Sequence, residues 1–118
     1  MNKNYEMNIE NLKSQMRKGM LEFCVLLILR ERPAYASDLI AGLKQARLIV
    51  VEGTLYPLLT RLKNDGLLAY KWVESTSGPP RKYYELTDLG VSVLSQLSAA
   101  WDDLTLTVDH LRNNQQNQ

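Results

Sequence analysis

At 118 residues, 45% of them hydrophobic and 23% charged, the chain is the size of one domain and apolar enough to close a core without disulfide or metal staples. Its single cysteine, Cys24, excludes an internal disulfide and, lying within the apolar run Met20 to Leu29, reads as a buried, inert thiol of a cytoplasmic protein. The net charge of +1 singles out no partner, but its division is uneven: six basic against four acidic side chains over residues 1–34, seven against five over 35–86, and one against four over 87–118.

Residues 1–10 are polar and read as a flexible N-terminal extension or the loose beginning of a helix. No signal-peptide pattern and no apolar run of membrane-spanning length is present, so neither export nor a membrane span is expected. From Ile9, residues Leu12, Met16, Met20, Phe23 and Leu27 follow helical steps, and between Met20 and Leu29 the apolar set widens to nearly the whole circumference, as in a helix sunk in a core. Pro33 closes this helix by disfavouring helical geometry at Arg32. A second helix, about three turns long, is expected to start between Ala34 and Ser37 and to run through Leu39, Ile40 and Leu43 towards Ala46, with Ser37 and Asp38 at its polar start. Leu48 to Val51 is either a short strand or an apolar connector.

The third helix starts between Glu52 and Thr54 and ends at Asn64-Asp65-Gly66, where glycine suits a left-handed cap. Pro57 is tolerable if it falls near the first turn. Leu55, Leu58 or Leu59, and Leu62 can face a core, while Thr54, Tyr56, Thr60, Arg61 and Lys63 make an outward face of hydroxyls and cations. After Gly66 the period becomes alternating, with Leu68, Tyr70 and Trp72 against Ala69, Lys71 and Val73, then Arg81 to Leu86 in the same style. Ser75 to Pro80, with no apolar anchor, reads as the exposed tip of a hairpin, and of Tyr83 and Tyr84 one packs inward and one stays exposed. A last helix begins at Thr87-Asp88 with Thr87 as N-cap, and Leu97, Trp101, Leu104, Val108 and Leu111 step along it by 4, 3, 4, 3 as a coiled-coil seam. Roughly 24 residues of helix extend ~36 Å, more than a small three-helix body covers, and a second copy of the chain is the simplest partner for the excess stripe. Asn113 to Gln118 is a polar tail.

Three helices followed by a two-stranded hairpin is the order of a winged helix-turn-helix. The expected fold class is therefore mainly α with a small β-hairpin: a winged-helix DNA-binding domain over residues 11–86 and a long C-terminal dimerisation helix over 87–112. In that arrangement the third helix enters a major groove. Thr54, Tyr56, Thr60 and Arg61 are types that reach base edges or phosphate oxygens, and Lys63 neutralises phosphate. At the hairpin, Gly78 permits close backbone approach, and Arg81 and Lys82 supply cations. The blander alternatives are an ordinary solvated helix face and cations that only keep an exposed edge soluble. Trp101 is interface core or, if two subunits leave a gap, a platform for a planar aromatic molecule. His110 stands alone, Asp102-Asp103 reads as a solvated pair, and no catalytic constellation or phosphate-cradling glycine loop appears, so no enzyme activity, metal or cofactor is expected.

Glu52-Gly-Thr-Leu-Tyr-Pro-Leu-Leu-Thr-Arg-Leu with Asp65-Gly-Leu-Leu, followed by Gly78-Pro-Pro-Arg-Lys-Tyr-Tyr-Glu-Leu-Thr and Gly90, resembles the PadR family of bacterial transcriptional regulators over roughly residues 15–112. The single C-terminal helix looks like the smaller branch of that family. The resemblance implies a homodimeric winged-helix repressor whose last helix packs with the partner's helices. It also implies that the recognition helix (Thr54, Tyr56, Thr60, Arg61, Lys63) and the wing (Gly78 to Lys82) bind operator DNA. Trp101 lies eleven residues after Gly90, the spacing of a tryptophan that stacks planar drugs in a multidrug-sensing relative. The expectation is thus a cytoplasmic, homodimeric repressor on a two-fold operator with half-sites roughly 34 Å apart, released by a small-molecule ligand. The alternative, suggested by the low net charge, is a winged-helix protein-protein interaction module without specific DNA binding; steep salt dependence distinguishes the two.

Overall fold

The computed structural model describes residues 3–114, with side chains from Asn8 onward; the remainder of the expected polar tail lies outside the described residues. In chain order the elements are α1 (Lys3–Glu31), β1 (Ala34–Tyr35), α2 (Ala36–Gln45), α3 (Glu52–Asn64), β2 (Leu68–Ser75), β3 (Gly78–Leu86) and α4 (Asp88–Asn114). Helix α1 therefore takes in most of the segment read as an N-terminal extension.

Local chemistry sets the boundaries of α2 and α3. The Asp38 carboxylate accepts the Tyr35 N–H at 3.0 Å, the backward reach of an N3 residue that satisfies a donor ahead of a helix. At the other end, Leu48 N–H reaches the Leu43 carbonyl and Arg47 N–H the Lys44 carbonyl, with Arg47 at a φ of 68°. This is a Schellman closure with arginine in the position glycine usually takes. The same pair of bonds closes α3, from Leu67 to Leu62 and from Gly66 to Lys63, and here glycine does stand in the left-handed position, at a φ of 82°. Between the two closures Leu48 to Val51 is a connector without strand pairing. Pro57 lies beyond the first turn of α3, further in than its tolerance required. Its ring removes the donor that would serve the Gly53 carbonyl, and Gly53 is exposed, so water can take that place.

The sheet has three antiparallel strands in the order β1-β3-β2, one more than the hairpin expected. Leu68 pairs with Leu86, Tyr70 with Tyr84 and Trp72 with Lys82, while Ala34 and Tyr35 of β1 pair with Tyr84 and Tyr83. The hairpin tip is also shorter than expected. Its strands run out to Thr76-Ser77, and Gly78-Pro79-Pro80 belong to β3, past a register shift between Val73 and Ser75. Two prolines are tolerated there because β1 covers β3 only at Tyr83 and Tyr84, leaving an open edge beside them.

The core joins Leu21, Val25, Leu26 and Leu29 of α1 to Leu39 and Leu43, to Leu55, Leu58, Leu59 and Leu62, and to Leu68, Tyr84 and Leu94. Helix α1 is not buried all round between Met20 and Leu29: Phe23, Cys24, Leu27 and Ile28 pack only partly against this core. Its earlier residues Leu12 and Met16 and the later part of α4 project beyond the body and leave their apolar residues exposed. Among the described residues no helix is long and apolar enough to cross a membrane.

Helix α4 is anchored at its start. The Thr87 hydroxyl donates to the Gly66 carbonyl at 2.6 Å and accepts the Gly90 N–H at 3.0 Å, and Thr87 N–H reaches the Leu67 carbonyl. Thr87 is thus the N-cap and also the tie to the end of α3. A Cβ at Gly90 would stand 2.2 Å from the Leu67 carbonyl oxygen, so the two elements meet backbone to backbone. Gly90→Ala should cost roughly 1–3 kcal/mol through forced displacement of α4. Gly53→Ala, where an added Cβ meets nothing within 4 Å, should not destabilise. Thermal unfolding of the two variants checks this, and an undiminished melting temperature for Gly90→Ala would contradict the close approach.

Candidate nucleic-acid interface

Burial of Leu55, Leu58, Leu59 and Leu62 turns the remaining side chains of α3 outward, where they divide into two groups. Tyr56, Thr60 and Lys63 look towards the hairpin. Thr60, Lys63 and Asn64 share a cleft of about 110 Å³ with Tyr70, Lys82 and Tyr84. Tyr56 lines a larger cleft of about 420 Å³ together with Glu52, Trp72, Pro79, Pro80, Arg81 and Lys82. Thr54 and Arg61 look the other way, towards α1. Thr54 lies with Ser14, Arg17 and Lys18 around a third cleft of about 270 Å³, and Arg61 forms an ion pair with Glu22. Both partners of that pair are well exposed, so it contributes little to stability and is open to exchange with another anion.

The hairpin separates the two cations of β3 by alternation. Lys82, opposite Trp72, points to the α3 side, its ammonium 4.5 Å from the Tyr70 ring and 5.3 Å from that of Trp72. Lys63 approaches the same Tyr70 ring at 6.0 Å, so two cations flank one aromatic surface. Arg81, opposite Val73, takes the other face of the strand. Its guanidinium stacks 3.9 Å from the Tyr35 ring and donates to the Ser37 hydroxyl at 2.6 Å. Gly78 is exposed beside the turn, and a Cβ there would meet nothing within 4 Å.

Of the residues singled out from the sequence, Tyr56, Thr60, Lys63, Arg81 and Lys82 therefore converge on the clefts beside α3, Arg81 by way of Tyr35 and Ser37 on the other face of β3, while Thr54 and Arg61 occupy separate surroundings. Tyr35, Ser37, Glu52 and Trp72 line the same cleft and had not been singled out. Trp72 could have been found from its place two residues after Tyr70 on an alternating strand. Tyr35 and Ser37 arrive only through the pairing of β1 with β3, which no local pattern signals.

On α4, Leu97, Trp101, Leu104, Val108 and Leu111 form an exposed apolar row. The Trp101 ring lies 6.0 Å from that of Phe23, and Trp101 remains 40% exposed. It opens on a groove of about 420 Å³ lined by Met16, Met20, Leu104, Thr105, Val108 and Asp109. The described residues hold no group of three or more His, Cys, Asp or Glu side chains placed to bind a metal. Cys24 is half-buried and burial pushes its thiol up, which suits an inert side chain.

Comparison with known proteins gives a coherent result. A family described as "Transcriptional regulator PadR-like family" matches residues 25–96. The chain is similar to a solved PadR-like transcription factor from Bacteroides fragilis, with 69% identity over 86% of this chain and 98% of that one, at a TM-score of 0.75. It is also similar to a PadR family transcriptional regulator from Eggerthella lenta, 38% identical over 93% and 96% of the two chains, at a TM-score of 0.85. A PadR-like transcriptional regulator from Bacillus cereus is 37% identical over 82% and 95%, at a TM-score of 0.72.

Tyr84 forms the floor of both clefts beside α3, and its phenol is pushed up, first by burial and then by the nearby Tyr56 and Tyr70. A raised acid holds its proton more tightly folded than unfolded, so its contribution is complete below the ordinary tyrosine range and declines as pH rises through about 10. Wild type should lose stability relative to Tyr84→Phe over that range, read from urea midpoints. Parallel pH profiles would show that this phenol is not linked to folding.

Proposed function

Because the chain belongs to the PadR-like family of transcriptional regulators, we propose that it is a homodimeric, cytoplasmic repressor that reads double-stranded operator DNA with α3 and the hairpin. Members of this family are transcriptional regulators, not enzymes. The observation that carries the proposal is the convergence of the outward face of α3 and Lys82 of the hairpin on one side of the molecule. A helix seated in a major groove then brings the hairpin over the adjoining backbone. Tyr56 and Thr60 offer hydrogen bonds to base edges or phosphate oxygens, and Lys63 and Lys82 neutralise phosphates. Gly78 lets the turn approach closely. Thr54 and Arg61 serve the flank nearer α1, where Arg61 exchanges Glu22 for a phosphate.

The exposed row Leu97, Trp101, Leu104, Val108 and Leu111 supports dimerisation, since an unpartnered apolar stripe of this extent is unfavourable in water. Two copies joined there present two α3 helices to one face of a duplex. The groove beside Trp101 supports a planar aromatic effector. Its walls are apolar and polarizable, and Asp109 at its rim favours a cationic one. Such a ligand releases DNA only if it binds the free dimer better than the DNA-bound one.

Fluorescence anisotropy against duplex from upstream of the chain's own gene should show binding that survives an unrelated competitor and weakens steeply with salt. Lys82→Ala and Lys63→Ala should each flatten the log-log salt dependence by about 0.9 for each phosphate left without its cation. Salt-insensitive or absent binding across randomised duplexes would instead favour the protein-interaction module. Leu104→Asp should convert the dimer to monomer in sedimentation velocity and weaken DNA binding with it; an unaltered dimer would place the interface elsewhere. Planar aromatic cations should quench wild-type emission more than that of Trp101→Ala, in which only Trp72 emits, and equal quenching would return Trp101 to a packing role.

A further inference from the structure

The hairpin has one long backbone partnership and one short one. Its strands pair from Leu68–Leu86 outward, but β1 supports the other edge of β3 only at Tyr83 and Tyr84. Beyond Tyr83 that edge carries no ladder, and Pro79 and Pro80 have no N–H to offer one. A two-stranded ribbon projecting in this way is only marginally ordered unless its side chains hold it to the body.

Arg81 makes that connection, from the first positions past the end of β1. Its guanidinium lies flat over Tyr35, a ring itself packed 4.8 Å from Tyr83, and one nitrogen donates to the Ser37 hydroxyl in the first turn of α2. The residue thus links β3 to both β1 and α2. Its immediate neighbour Lys82 is on the opposite face of the strand, over Tyr70 and Trp72 and next to Thr60 and Lys63 of α3. Whatever tilts the strand at Arg81 therefore moves the Lys82 ammonium relative to α3.

We infer that Arg81 is a positioning residue: by stacking on Tyr35 and bonding to Ser37 it sets the angle of the hairpin so that Lys82 stands over the α3 cleft, and it is not itself a phosphate contact. The inference rests on the DNA-binding reading above and changes the part that Arg81 plays in it. Lysine fills this part less well, since an ammonium lacks the planar face that lies flat on Tyr35 while one nitrogen still reaches Ser37.

Charge and shape are separated by comparing Arg81→Ala with Arg81→Lys, Ser37→Ala and the Ser37→Ala/Arg81→Ala double variant, each checked for folding by circular dichroism. Binding to the operator duplex is measured across a salt series. Both Arg81 variants should weaken binding by about three- to tenfold, the scale of one loosened side-chain anchor, Arg81→Lys as much as Arg81→Ala although it keeps the charge. Ser37→Ala should cost less on its own and nothing further in the Arg81→Ala background. Wild-type affinity in Arg81→Lys, with a slope flattened by about one in Arg81→Ala, would make Arg81 a phosphate contact and overturn the inference. Unchanged affinity in every variant would overturn it too. A second arm needs no DNA: in the full-length wild type the Arg81 side-chain protons should resonate upfield, shifted by the Tyr35 ring, and lose that shift in Tyr35→Leu. If wild type binds no duplex, the DNA-binding reading has failed, and a missing ring-current shift would separately remove the contact on which Arg81 positioning depends.

Discussion

Leu55, Leu58, Leu59 and Leu62 hold α3 in the core by one face, against leucines of α1 and α2 and the inner side of the sheet. Turning α3 about its axis would expose all four, at roughly 2 kcal/mol for each leucine returned to water. The direction of Tyr56, Thr60 and Lys63 is therefore set by what lies beneath them. None needs a specific contact to keep it facing outward. The hairpin is oriented by the same core, since Leu68 and Tyr84 are members of it and Tyr84 floors the clefts that α3 shares with β2 and β3. One act of burial thus brings two separate surfaces to the same side.

The peripheral parts hang on this centre by few but specific ties. Thr87 and Gly90 fasten the start of α4 to the closing turn of α3, hydroxyl to carbonyl and backbone to backbone. Helix α1 reaches in two directions. Glu22 pairs with Arg61 on α3, while the adjacent Phe23 touches Trp101 on α4 and Met16 and Met20 line the groove beside it. The apolar groove and the outward face of α3 are therefore attached to a common rigid element.

Much of this was legible because it is written in local patterns. The leucine spacing of α3, the left-handed Gly66, the change from helical to alternating period after it and the capping Thr87 are all short-range signals, and each corresponds to an observed feature. What was not legible depends on tertiary neighbours. A strand of two residues, Ala34 and Tyr35, has no period to detect and exists only because β3 lies beside it. The prolines that suggested a loose tip sit in β3 because its edge is open there, a fact about the absence of a neighbour. Glu22 and Arg61 are far apart in sequence and meet only across two helices. The opposite facing of Arg81 and Lys82, by contrast, follows from strand alternation and was available in the sequence, where Arg81 to Leu86 already reads as an alternating strand. For the candidate site, residue types were legible and their grouping was not.

The central claim is that the outward face of α3 and the hairpin act together on duplex DNA. Backbone amide exchange, compared with and without operator duplex, addresses it most directly. The account predicts slowed exchange along α3 and at the hairpin turn through Lys82, with the later part of α4 unchanged. Protection confined to α1 and α4, with α3 and the hairpin exchanging as in the free protein, would contradict it.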